Sequence, residues 1–306
     1  MKIGLIGTNW GRIHCATFGR WGHRIDTILG ADPEKTRRIA AEEGIAHAAR
    51  DPRELEAMDI IVIASPHQTH ASYIEMFRDK WILCEKPLAG TACGTESIGR
   101  IIPANLYVNY AFPFLETAAV IRDAVRQGIA GSVFGISLNI AVSFPFSYSD
   151  AEWFVSVASH ELYFLNKLFS PFMMKSFHRD AKRLNVSAIF ANGEQTLSLN
   201  LYRAHRESLM IDMAMTGEKG SIRVEGGYLP GRNWNFDPVT FNGDRLNEGE
   251  YSRGEDIWMR ANAMLVKSFL DLYEGKIPRE EAIGRGLADF TCASMIEKGT
   301  APLLNS

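Results

Sequence analysis

Apolar residues fall in short unbroken blocks over the first third of the chain and in alternation over much of the rest. Ile3 to Ile6 is a compact apolar run that ends at Gly7, the pattern of a strand buried on both faces. Runs of the same kind recur at 25–29, 58–64, 81–84 and 106–111. Helical spacing fills the gaps. It is read at 12–18, with Ile13, Ala16 and Thr17 on one face, at 34–43 behind Pro33, and at 70–78. Proline suits a first helical turn and Gly44 suits a helix end. Strand and helix alternating with short connections predict right-handed crossovers and a doubly wound parallel sheet.

From Phe112-Pro113 the period changes. A helix at 115–127 precedes a long alternating strand at 132–142, and further period-two strands are expected at 185–191, 195–202, 208–215 and 221–224. Asn192-Gly193 between the first two of these marks a hairpin turn. Helices at 258–273 and 280–297 are expected to close the chain. The expected class is α/β: a dinucleotide-binding domain over 1–112, then an α+β domain over 113–306 with an open, largely antiparallel sheet.

Composition changes this picture little. A chain of 306 residues, 46% apolar and 23% charged, is ordinary for two packed domains. The formal charge of -3, with 33 basic against 36 acidic residues, argues against a nucleic-acid partner. The opening apolar run is too short for a signal peptide, and none approaches the ~18 residues needed to span a bilayer. Cys15, Cys84, Cys93 and Cys292 lack the spacing of a zinc site or a disulfide framework, which predicts a reduced, cytoplasmic protein with Cys15 and Cys84 in its core. No His/Asp/Glu cluster has ligand spacing, so no metal is expected, and His67 and His70 are read as capping or packing residues.

Ligands of doubly wound sheets bind outside the carboxyl ends of the strands. That rule selects 7–12, 30–35, 65–70 and 85–87. In Gly7-Thr8-Asn9-Trp10-Gly11-Arg12 the first fingerprint glycine is Gly7. Asn9 holds the second position, where its tolerance of left-handed backbone angles would serve, and Gly11 lies one place early for the third. Asp32, twenty-one residues beyond Gly11, can accept hydrogen bonds from both ribose hydroxyls of NAD and would repel the extra phosphate of NADP. Lys35, Arg37 and Arg38 pull the other way, or are simply surface residues. NAD is preferred over NADP. Lys86, at a strand end beside a nicotinamide, could bond a substrate oxygen and exchange a proton with it. Glu85 could orient that lysine or touch the cofactor ribose, and Pro87 would stiffen the exit from the strand.

Cys84-Glu85-Lys86-Pro87-Leu88-Ala89-Gly90, directly after the fifth strand of such a sheet, resembles the Gfo/Idh/MocA oxidoreductases. Ser65-Pro66-His67-Gln68-Thr69-His70 is similar to that family's loop after the fourth strand, and Gly128-Ile129-Ala130-Gly131 to the start of its second domain. The resemblance implies an NAD(P)-dependent dehydrogenase of a small polar molecule: a sugar, sugar nucleotide or cyclitol. It assigns Gly7, Thr8, Asn9, Trp10, Gly11, Asp32, Ser65, Pro66, His70, Glu85 and Pro87 to the cofactor, and catalysis to Lys86 and His160. It also implies a homodimer or homotetramer formed through the C-terminal sheet, and a Lys86-Pro87 bond that is often cis.

The family commonly carries an aspartate four residues before its histidine and often an acid three residues after it. Here those places are Ser156 and Tyr163, on one helical face with His160, and all three are expected at the substrate. His160 could donate or accept a proton, or be a structural histidine. Asp150 and Glu152 are nearby acids that could substitute for the missing one. Tyr148 and the segment Tyr228 to Trp234 could line the substrate pocket, with Arg232 and Trp234 also readable as surface or subunit contacts. The loss of the carboxylate leaves two other readings open: a non-catalytic nicotinamide-nucleotide sensor, and a ketone or C=N reductase on the same fold.

Overall fold

A computed structural model describes residues 1–88, 103–143, 150–170, 172–180, 185–204, 208–229, 233–282 and 285, with the side chains of 150–155 and Arg179 outside the described set. Cys93, Cys292, Tyr148, Arg232, Ala89, Gly90 and most of the expected closing helix at 280–297 lie outside it. The described residues form two compact units. One joins Met1–Tyr110 to a returning segment that begins at Asn262, and the other spans Ala111–Ala261.

The first unit is built on a six-stranded parallel sheet. Its strands are β1 (Ile3–Ile6), β2 (Thr27–Leu29), β3 (His47–Ala49), β4 (Ile60–Ile63), β5 (Trp81–Cys84) and β6 (Leu106–Val108). They lie in the order β3-β2-β1-β4-β5-β6, the doubly wound arrangement the alternation predicted. β1, β4 and the end of β5 are fully buried, as unbroken apolar runs require.

Helices α1 (Arg12–Gly19), α2 (Pro33–Glu43) and α3 (His70–Met76) connect these strands. α2 starts where Asp32 accepts the backbone N–H groups of Glu34 and Lys35, and ends where Gly44 turns left-handed at φ 67°. α1 departs from expectation. It buries His14, Thr17 and Phe18, while Ala16 is exposed. The short strand β3 also escaped the pattern.

The second unit holds α4 (Glu116–Arg126), β7 (Val133–Val142), α5 (Asp150–Leu168), β8 (Met173–Asp180), β9 (Asn185–Ala191), β10 (Thr196–Arg203), β11 (Leu209–Gly217) and β12 (Gly220–Leu229). The short strands β13 (Asn233–Phe236), β14 (Thr240–Phe241), β15 (Asp244–Arg245) and β16 (Glu250–Tyr251) follow, and then α6 (Ile257–Tyr273), which belongs to this unit only as far as Ala261 and to the first from Asn262. The sheet runs β15-β14-β12-β11-β7-β10-β9-β8, with β13 on β12 and β16 on β13. It is largely antiparallel, with one parallel pair, β7 with β10. β8 and β13 to β16 were not foreseen, and β12 runs past the expected 221–224.

Alternation sets the two faces of this sheet. Ile136, Leu138, Ile140, Leu197, Leu199, Ile211 and Met213 are buried on one face. The other carries a polar ladder in register, Asn200 donating to Asn139 (2.9 Å) and Asn139 to Asp212 (3.2 Å).

In the first unit the returning segment covers apolar and polar edges alike. Trp21 donates its indole N–H to the Ala263 carbonyl (2.7 Å), and the Tyr107 hydroxyl meets Ser268 (2.8 Å). Trp81 packs edge-on against Tyr273 at 5.8 Å. Arg285 is buried, its guanidinium 4.2 Å from the Tyr107 ring and donating to the carbonyls of Val108 and Tyr110 at 3.0 Å each. A buried guanidinium needs such acceptors. No described helix is long and apolar enough to cross a membrane.

Candidate functional site

Gly7 ends β1 at φ 119°, and a Cβ there would lie 2.3 Å from the Ala64 carbonyl oxygen. Only glycine lets the turn pass so close to the end of β4. Gly11 opens α1, and a Cβ on it would lie 2.2 Å from the Gly7 oxygen, so it supplies the close approach of helix to turn. Asn9 does not work as expected: the described non-glycine residues at positive φ are Asn233 and Asn242. Its side-chain oxygen instead accepts the Lys35 ammonium, bridging the β1 and β2 ends. Thr8 packs where a Cβ on Gly30 would meet it, 2.5 Å from its methyl carbon.

α1 has no side-chain cap and no acid in its first turn, so the partial positive charge of its N-terminus is left for an anion. Asp32 is exposed at the end of β2. Its carboxyl is held below the usual range, first by the Lys35 and Glu34 backbone N–H groups it accepts and then by the charges of Lys35 and Arg38.

The ends of β4 and β5 are tied together by His70, whose ring is buried. Its Nε2 lies 2.9 Å from the Ser65 carbonyl and its Nδ1 3.1 Å from that of Pro87. Burial pulls this imidazole down to about 4, against the opposing pull of the Ser65 carbonyl. The Ser65 hydroxyl pairs with that of Thr69 at 2.7 Å, and Pro66 is exposed. The Lys86-Pro87 bond is cis.

Glu85 is buried, and one oxygen, Oε1, gathers three nitrogens. Trp10 donates its indole N–H at 3.1 Å, His14 Nε2 lies at 2.8 Å, and Asn109 donates its amide at 2.5 Å. The same amide nitrogen donates to Asn262 Oδ1 at 3.0 Å. Burial alone would push the Glu85 carboxyl up. The bond and charge of His14, the Asn109 bond and the Lys86 charge together outweigh it and hold it below the ordinary value. Glu85 is therefore a fixed buried anion joining the β1 loop to the end of β6, with the half-buried Lys86 next in sequence. His14 and Asn109 had not been singled out.

In the second unit Ser156, His160 and Tyr163 are all buried on α5, the helix their spacing implied. His160 Nδ1 accepts the backbone N–H of Ala111 at 3.2 Å. Its ring stands perpendicular to that of Trp258 at 5.0 Å, and Trp258 stacks on Trp234 at 4.5 Å. Trp234, itself half-buried, thus joins a short aromatic stack. Lys167 lies 5.8 Å from the Tyr163 ring centroid. Asp150 and Glu152 fall in α5, but their side chains lie outside the described set.

Residues 1–104 match a family described as the GFO_IDH_MocA oxidoreductase family, NAD-binding Rossmann fold. Over 103 residues the chain is 37% identical to inositol 2-dehydrogenase 1 of Saccharopolyspora erythraea, a stretch covering 30% of each chain. Over 112 residues it is 30% identical to the scyllo-inositol 2-dehydrogenase (NADP(+)) IolU of Bacillus subtilis, 34% of each chain. The match thus spans about a third of these relatives. Across the whole fold the chain resembles the WlbA dehydrogenase of Bordetella pertussis, solved with NADH and UDP-GlcNAcA: TM-score 0.79, 19% identity, 98% of this chain and 96% of that one.

Proposed function

We propose, from the premise that this chain belongs to the Gfo/Idh/MocA oxidoreductase family through its first 104 residues, that it is an NAD(P)-dependent dehydrogenase of a small polyhydroxylated substrate, a cyclitol or sugar. The observation that carries the proposal is the joining of Glu85 to Trp10 and His14. It fixes the strand end that bears Lys86 to the loop where a dinucleotide's diphosphate would rest. That loop fits a diphosphate: Gly7 and Gly11 leave no room for side chains, and α1 begins uncapped.

A bound nicotinamide dinucleotide would take or give the hydride. The chain's own residues do the rest. The start of α1 and the loop hold the diphosphate, and Asp32 takes the adenosine ribose hydroxyls. NAD is favoured over NADP because Asp32 is an anion at the place a 2′-phosphate would occupy, although Lys35 lies close to it. Lys86 bonds the reacting substrate oxygen and moves its proton.

Titrating the protein with NADH and NADPH by fluorescence, then assaying a panel of inositols and sugars with wild type and Lys86→Ala, tests this reading. The expected result is unchanged dinucleotide affinity and a loss of turnover on the order of 10²–10⁴-fold in the variant. Binding without any turnover that depends on Lys86 would instead favour a nucleotide sensor, the reading to which Ser156 lends weight by standing where a carboxylate is usual.

A further inference from the structure

Trp10 stands apart from the other tryptophans. Among the described side chains Trp258 is buried and Trp21, Trp81 and Trp234 are half-buried, whereas Trp10 is 52% exposed. It is nevertheless anchored. Its indole N–H donates to Oε1 of the buried Glu85 at 3.1 Å, so one edge of the ring is pinned while much of its surface faces outward.

The strand order says which half of a dinucleotide this ring would meet. β2 lies on one side of β1, and β4 and β5 lie on the other. A dinucleotide spans that divide with its diphosphate at the start of α1. Asp32, at the end of β2, marks the adenosine side. Glu85 and Lys86, at the end of β5, mark the nicotinamide side. The turn after β1 parts between two neighbours: Asn9 is tied to Lys35 of α2, and Trp10 is tied to Glu85. Trp10 therefore belongs to the nicotinamide half.

The bond to Glu85 also sets the character of the ring. An indole face is electron-rich and attracts a flat cation. Donating its N–H to an anion polarises the indole further in that sense. Glu85 keeps its charge because His14 and Asn109 bond the same oxygen. The nicotinamide ring is a cation when oxidised and neutral when reduced, so a plate of this kind tells the two apart.

We propose that Trp10 stacks on the nicotinamide ring of a bound dinucleotide and holds the oxidised form more tightly than the reduced one. The proposal rests on the dehydrogenase reading above and calls on no residue of the second unit. Trp10 is then a binding residue for the ring that exchanges the hydride, and takes no part in moving the proton.

Isothermal titration of the full chain with NAD⁺, NADH and ADP-ribose tests this without any turnover. ADP-ribose has the adenosine, the diphosphate and both riboses but no nicotinamide. Trp10→Leu should weaken NAD⁺ on the order of tenfold and NADH about threefold, and should leave ADP-ribose within about twofold of wild type. The unchanged ADP-ribose affinity also shows that the variant folds.

Trp10→Phe supplies a control, because it restores a ring but cannot donate to Glu85. Its affinity for both nicotinamide forms should return toward wild type. A phenylalanine variant as weak as the leucine one would mean that the anchor mattered and the ring did not, which overturns the proposal. It is equally overturned if Trp10→Leu weakens ADP-ribose as much as NAD⁺, or weakens NAD⁺ no more than NADH. In each of these cases the dehydrogenase reading stands. If wild type binds none of the three ligands, both fall.

Discussion

Lowering the pH should loosen the first unit through His70. Its ring faces two carbonyls, Ser65 at 2.9 Å and Pro87 at 3.1 Å, yet a neutral imidazole can donate to only one of them. Protonation would satisfy both, but burial opposes the charge more strongly and pulls the group from its ordinary 6.5 to about 4. Above pH 6.5 neither the folded nor the unfolded chain is protonated at this position, and stability is unaffected. Below it the unfolded chain binds a proton that the folded one refuses, so stability falls with pH until the folded ring itself titrates.

A gap of about 2.5 units sets a ceiling of roughly 3 kcal/mol, of which about 2 kcal/mol should be lost by pH 5. Urea unfolding of wild type and His70→Gln at pH 7.5 and 5.0 isolates this loss, because every other titrating group is common to both. The variant should be less stable at neutral pH and should lose about 2 kcal/mol less on acidification. Parallel losses in the two proteins would mean that the buried ring titrates as a free one does, and the argument from burial would be wrong.

Three further outcomes follow from local geometry. Gly7→Ala should cost about 3 kcal/mol in urea unfolding and abolish NADH binding, since its Cβ would lie 2.3 Å from the Ala64 oxygen at a φ of 119°. Asp32→Ala should lower the melting temperature by removing the cap of α2, whereas Asp32→Asn, which keeps the capping oxygen, should not. Cys15, its thiol pushed up to about 11 by burial and then by the nearby Glu43 carboxylate, should be alkylated at pH 8 on the order of 10²-fold more slowly than an exposed thiol, as read by peptide mapping.

The parallel sheet was legible because β1, β4 and β5 are each unbroken apolar runs that only double burial explains. β3 was not. His47-Ala48-Ala49 has no β-branched residue, and the strand takes its conformation from pairing with β2. β8 mixes Lys175, His178 and Arg179 with apolar residues on an edge of its sheet, and its pairing shifts register between Met174 and Ser176. The parallel pairing of β10 with β7 is a fact of topology that no local pattern records. Of the candidate site, the strand-end rule selected the loops after β1, β2, β4 and β5, but not the partners of Glu85. Asn109 carried one faint signal, as a polar residue in a run the pattern assigns to the interior, where buried polar groups require partners, and His14 carried none. Which partner each would find depended on β1 and β6 lying on opposite sides of β5, at a distance in sequence that periodicity does not reach.

The segment that begins at Asn262 sets the order in which the protein is completed on the ribosome. When the first 110 residues have emerged, all six strands of their sheet are present. Trp21, Trp81 and Tyr107 still lack Ala263, Tyr273 and Ser268, and the carbonyls of Val108 and Tyr110 lack Arg285. At ordinary rates of synthesis the wait lasts on the order of ten seconds, during which residues 111–261 are made. The first unit is started before the second and sealed after it. Nascent chains arrested between residues 110 and 262 should therefore be cleaved by protease around Trp81 and Tyr107, and chains carried past 285 should be protected there.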